Sequence, residues 1–227
     1  YLIEGEAKAV LIDTGTRCAD LDKIVGQITG RPLEVIVPHM HTAHAGCIKY
    51  FDKVWMHRAD TVLVPQHAAD YQGEFLYMEE GQVFDLGGRK LEVAWMPGHT
   101  PGSVVLLDKA NGDCYSGDAF GSGEVWLQCV PKSPIDSFHE SCCRMEKLMK
   151  EGHIKDIWCG HYPYLKSSLP LAYIQTMIRI SHRLMNGDQE GSEPYSNYFI
   201  KMPPTARKLA EGRAMIVYDS TNIPEAR

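Results

Sequence analysis

An α/β fold is predicted for this 227-residue chain from three features of its sequence. Short apolar runs bounded by Gly, Pro and Asp recur through the first two thirds, the patterning of strands and turns. Apolar residues at helical spacing mark three longer segments. Strand-like runs repeatedly end in a glycine followed by a histidine or an aspartate, so polar residues gather where strands stop.

In chain order, residues 1 to 4 and 8 to 13 read as strands around the turn Glu4-Gly5-Glu6, and Asp13-Thr14-Gly15 ends the second. Leu21, Ile24, Val25 and Ile28 form one helical face that stops near Gly30. A strand over 34 to 38 follows. Further short strands are expected at 53 to 57, 90 to 95, 103 to 107 and 113 to 117. A helix over 137 to 151 carries Phe138, Cys142, Met145, Leu148 and Met149 on one side. A strand over 154 to 159 leads to a long helix over 169 to 186 with Leu171, Ile174, Ile178 and Met185. The polar, Gly-containing stretch 186 to 197 reads as a loop or lid, 204 to 211 as a short helix, and 214 to 218 as a closing strand.

Composition narrows the function. A hydrophobic content of 44% with 23% charged residues suits one globular domain across residues 1 to 227. A formal charge of -6 without any basic run argues against a nucleic-acid surface and for a small-molecule partner. Seven cysteines without paired spacing, and no C-x-x-C, suit reduced thiols in the cytoplasm. No apolar stretch approaches the roughly 18 to 20 residues of a membrane span, so no membrane partner is expected; a homo-oligomer is compatible with the sequence. Because Tyr1 opens directly into a strand, the first strand of the fold is expected upstream of it.

The segment Pro38-His39-Met40-His41-Thr42-Ala43-His44-Ala45-Gly46 places three histidines within six residues. Crowded imidazoles need a cation or hydrogen bonds to compensate them. His39 and His41 project to one side of an extended chain, and His44 lies one turn beyond His41 if a helix starts at Thr42. Imidazoles in this number suit zinc, iron or manganese better than calcium. Further ligands are expected from His99 in the Pro- and Gly-rich loop 96 to 102, from Asp118 after Ser116-Gly117, and from His161 after Cys159-Gly160. His57, His67, His139, His153 and His182 lack such context and read as surface or packing residues.

These motifs (IDTG at Ile12 to Gly15, HxHxxH, PGHTPG, SGD and GH) together resemble the metallo-β-lactamase superfamily over nearly the whole chain. The resemblance implies an αββα sandwich of two mixed β-sheets flanked by helices, with a metal site where strand ends converge. It implies that His39, His41 and His99 form a first metal site, that Asp118 bridges to a second, and that His44 and His161 belong to the second. It further implies one or two Zn2+ ions, with Fe or Mn as alternatives. The implied chemistry is hydrolysis of a lactone, ester, thioester or amide carbonyl by metal-bound hydroxide. Residues 163 to 213 would form a helical segment and loop over the site, and Phe120, Trp126, Tyr162 and Tyr164 are candidates to line a substrate pocket. Aspartate rather than cysteine at position 118 points towards glyoxalase-II-like thioesterases and lactonases.

One position departs from the family pattern. Ala43 stands where the superfamily carries the aspartate of HxHxDH, which removes a second-site ligand and an orienting carboxylate. An engineered or otherwise impaired enzyme is the favoured reading. The alternatives are a mononuclear iron oxygenase, similar to persulfide dioxygenases and using His39, His99 and Asp118, and a catalytically inactive metal-binding relative.

Overall fold

The computed structural model describes residues 1–127, 134–198 and 201–225. The first half folds into a mixed five-stranded sheet in the order β1-β2-β3-β4-β5, from Leu2–Glu4, Ala9–Ile12, Leu33–Ile36, Lys53–His57 and Glu74–Met78. β1 runs antiparallel to β2, and the remaining neighbours are parallel. β2 is buried along its whole length because both faces of this sheet are covered. Leu11 faces a layer that holds Val25 of helix α1 (Leu21–Ile28), whereas Val10 and Ile12 face the second sheet. The chain then forms the short helices α2 (Thr42–Ala45) and α3 (Val64–His67) beside β4.

The second sheet is also five-stranded, in the order β11-β9-β8-β7-β6. Its strands are β6 (Val83–Asp85), β7 (Lys90–Trp95), β8 (Val104–Asp108), β9 (Asp113–Gly117) and β11 (Asp156–Cys159). Phe84, Leu91, Val93, Val104 and Leu106 pack against Ile3, Val10, Ile12 and Ile36 of the first sheet. The opposite face of the second sheet is covered by α4 (Ile135–Lys150) and α6 (Leu171–Met185), through Phe138, Cys142 and Met145 on α4 and Ile174, Met177 and Leu184 on α6. The short helix α5 (Tyr162–Leu165) joins β11 to the α6 segment. The layers therefore run helix, sheet, sheet, helix, as the resemblance implied.

A third sheet lies outside that expectation. It has four strands in the order β10-β14-β13-β12: Glu124–Trp126, Ala214–Asp219, Ala206–Glu211 and Glu193–Pro194. The short helix expected at 204 to 211 is thus corrected to strand β13, which pairs antiparallel with β14 from Ala206–Asp219 to Glu211–Ala214. Lys208-Leu209-Ala210-Glu211 has helix-favouring composition, but burial of Leu209 and the ladder to β14 override that weak propensity. The stretch read as a loop or lid contributes β12 to the edge of this sheet. Strands β5, β6 and β10 were not expected either. Among the described residues six cysteines are free; Cys129 lies outside them.

Candidate metal centre

The site lies where strand ends of both central sheets meet. β3 runs through Val37 and Pro38 into His39, and the Pro38 carbonyl accepts from Val104 N at 3.0 Å, which pins the His39 loop to β8. α2 begins at Thr42, so His41 precedes the helix and His44 sits within it. His99 follows β7, Asp118 follows β9, and His161 follows β11 by one Gly. A Cβ at Gly160 would collide with the His44 ring and come within 3.1 Å of Asp118 Oδ1, so only glycine permits this approach.

All six expected ligands come together. The ligand atoms of His39, His41 and His99 lie within 4.8 Å of one another, as do those of His39, His44 and Asp118. His41 Nδ1 is 3.0 Å from His99 Nε2. Asp118 Oδ2 is 3.2 Å from His44 Nε2 and 3.1 Å from His161 Nε2, and 4.0 Å from the Nε2 atoms of both His39 and His99. One carboxylate oxygen thus stands between two histidine groups. Ala43, half-buried on the first turn of α2, presents only a methyl group.

The electrostatics of the cluster suit a bound cation. Burial pushes the His39, His41 and His99 imidazoles towards the neutral form, His41 down to about 2. Burial also opposes charge on His44, but Asp13 and Asp118 outweigh it and hold this imidazole well above its ordinary value. In the same way burial opposes charge on Asp118, and His44 and His161 outweigh it. Both ring nitrogens of His39 and Oδ1 of Asp118 are buried without a hydrogen-bond partner. Buried polar atoms are normally satisfied, and a divalent ion bound by nitrogen and oxygen donors would satisfy these. The residues present therefore fit a metal.

Three supporting residues escaped the sequence reading. Asp13, noted only as a strand end, accepts from His44 Nδ1 at 2.8 Å. Asp60, almost fully buried, accepts from Met40 N at 2.9 Å, Thr100 Oγ1 at 2.9 Å and Gly102 N at 2.6 Å, and so ties the His39–His41 loop to the His99 loop. His67, read as a surface or packing residue, buttresses the start of α2: its Nδ1 accepts from Thr42 N at 3.3 Å and lies 2.9 Å from Thr42 Oγ1. Asp13 carried a signal in its motif. Asp60 and His67 carried none, since their roles arise only from tertiary contact.

The four aromatic candidates occupy different environments. Phe120 is fully buried in the core beside α6, where its carbonyl accepts from Tyr173 Oη at 2.7 Å. Trp126 is half-buried, and its carbonyl accepts from His99 Nδ1 at 2.9 Å, which turns the His99 Nε2 lone pair into the site. Tyr162 and Tyr164 are exposed, the latter with its ring 5.7 Å from that of His161.

Residues 1–161 match the family described as the metallo-beta-lactamase superfamily. The chain is 26% identical over 201 residues to the acyl-coenzyme A thioesterase MBLAC2 of Homo sapiens, spanning 71% of this chain and 72% of that protein. It is 25% identical over 178 residues to a hydroxyacylglutathione hydrolase of Aeromonas salmonicida, spanning 76% of this chain and 64% of that one. The solved structure of TTHA1623 in a di-iron-bound form is similar at a TM-score of 0.61 and 26% identity, over 76% of this chain and 89% of that one.

Proposed function

This chain belongs to the metallo-beta-lactamase superfamily, and from that premise we propose that it is a metal-dependent hydrolase of a small acyl thioester, impaired at its second metal position by Ala43. The observation that carries the proposal is the convergence of His39, His41 and His99 with His44, Asp118 and His161 around buried, unpartnered donor atoms. The thioester class is suggested by the acyl-coenzyme A thioesterase and hydroxyacylglutathione hydrolase relatives.

His39, His41 and His99 would hold the first ion, and His44, Asp118 and His161 a weaker second one. Metal held by these residues would supply Lewis-acid activation of a carbonyl and would lower the pKa of water at the site. The protein provides the rest. Asp13 fixes the His44 ring through Nδ1, the Trp126 carbonyl fixes His99, and Asp118 places negative charge centrally among the imidazoles. The methyl of Ala43 removes a carboxylate that would orient the attacking water, and misplacement of that kind costs on the order of a hundredfold in rate. Cytoplasmic placement belongs to the same proposal and is supported by the free thiols. Among the described residues no helix is long and apolar enough to cross a membrane.

The test is a panel of acyl-coenzyme A, acylglutathione, lactone and simple ester substrates offered to the zinc-loaded chain, read by thiol release or acid production. Thioester turnover that disappears with chelator is expected. Full metal content with no turnover of any carbonyl substrate would overturn the proposal. His39 and His99, each 4.0 Å from Asp118 Oδ2, also present a face of two histidines and one carboxylate suited to iron. Oxygen uptake with a persulfide by the iron-loaded chain would replace the hydrolase reading.

A further inference from the structure

We propose that Cys143, His139 and His182, none of them part of the histidine cluster, form a second, sulfur-containing metal site for a single zinc-class cation, clasping α4 to α6. His139 and Cys143 are four residues apart on α4 and so share a face, with Cys143 Sγ 3.6 Å from His139 Nε2. Metal–sulfur and metal–nitrogen bonds of about 2.3 and about 2.0 Å at a tetrahedral angle separate their donor atoms by about 3.5 Å. The pair already has the bite of a chelate.

The surrounding hydrogen bonds orient it. Ser181 Oγ donates to the Met177 carbonyl at 2.7 Å, so its lone pairs accept from His139 Nδ1 at 2.9 Å. With the proton on Nδ1, the Nε2 lone pair faces the sulfur, and a metal-ligating histidine is commonly fixed through its other nitrogen in this way. His182, beside Ser181 on α6, supplies the third donor. Its ring centroid is 5.9 Å from that of His139, and it is exposed, held by the Asn186 amide at 3.3 and 3.4 Å from its two ring nitrogens. As the structure stands the three donors are not within ligand distance of one another; the site requires His182 to leave Asn186 and rotate a nitrogen towards the pair, with water as the fourth ligand. Cys142, the neighbouring thiol, is fully buried in the core and takes no part.

Burial, with Glu146 and Glu140 close by, keeps the Cys143 thiol protonated in the free site. Metal entry breaks the S–H bond, the proton leaves to solvent, and the sulfur electron pair passes to the cation. Both half-buried donors are open to solvent on one side, so no rearrangement of the core is needed.

Among the described residues the metal-ligand groups of the histidine cluster contain no sulfur, which separates the two sites spectroscopically. The metal-free chain is titrated with Co2+ alone. A near-ultraviolet thiolate-to-cobalt charge-transfer band is expected beside the visible bands of the nitrogen and oxygen site. C143S should abolish the thiolate band, and with it that site's share of the visible absorption, while leaving the visible bands of the histidine cluster and thioester hydrolysis unchanged. S181A should weaken the affinity reported by that band on the order of tenfold. Absence of the band at saturating Co2+, or its persistence undiminished in C143S, would overturn the proposal. Should C143S not fold, H139A takes its place with the same two outcomes.

Discussion

Asp13 shows how much of the candidate centre depends on a single residue. Its backbone sits at φ 67°, a left-handed conformation that aspartate tolerates better than most side chains. Its carboxylate lies 2.8 Å from His44 Nδ1, so the opposite nitrogen of that ring points at Asp118. The motif marked Asp13 as the end of a strand, whereas the bond to a histidine 31 positions away exists only in the fold. Asp13→Asn keeps the shape and removes the charge. It should lower metal affinity by roughly 10- to 100-fold, measured by competition with a chromophoric chelator. Unchanged affinity would show that Asp13 orients nothing.

Among elements, strands bounded by strong turn signals were the most legible. The strands at 53 to 57, 90 to 95 and 113 to 117 occupy those bounds, and α2 starts at Thr42, because apolar periodicity and glycine punctuation are strong local signals. The third sheet was legible only in its closing strand, expected at 214 to 218 and found as β14; the rest of it was not. Its strands pair through contacts set by α6 and β14 rather than by their own pattern, and β10 and β12 have only 3 and 2 residues. The same limit hid Asp60, which lies in the 3-10 turn after β4 and bonds two loops 20 and 42 positions away. Asp60→Ala leaves Met40 N, Thr100 Oγ1 and Gly102 N without their buried acceptor. A loss of about 3 kcal/mol or more is expected, read by urea unfolding, together with reduced metal retention because the His39 and His99 loops are no longer joined. Wild-type stability would contradict this role.

At the scale of the whole molecule, two central sheets and their flanking helices bring segments from residue 13 to residue 161 to one edge, and the assembled charges couple metal to stability. His39, His41 and His99 are depressed below the ordinary value of 6.5, whereas His44 is raised above it. As pH falls below 6.5, the first three take protons only in the unfolded chain, so they favour unfolding. The His44 contribution runs the other way: it is fully present below 6.5 and is lost as pH rises through the folded value. The Asp118 contribution is present above 3.8 and is lost only as pH falls through its depressed value. Three groups outweigh one, so the metal-free chain should melt at lower temperature at about pH 5 than at about pH 7.5. A melting temperature that stays flat or rises on acidification in chelator would contradict this balance.

Elemental analysis paired with thioester turnover decides whether the histidine cluster is a metal centre limited by Ala43. Both are measured in a C143S background, so that the proposed sulfur site adds no ion. About one tightly held metal per chain is predicted with Ala43 and about two with Ala43→Asp, since a carboxylate restores the missing second-site ligand. Hydrolysis should rise on the order of a hundredfold with the second ion. A chain that retains no metal would show that the cluster is not a metal centre, and an Ala43→Asp variant with unchanged metal content and unchanged rate would show that Ala43 does not limit it.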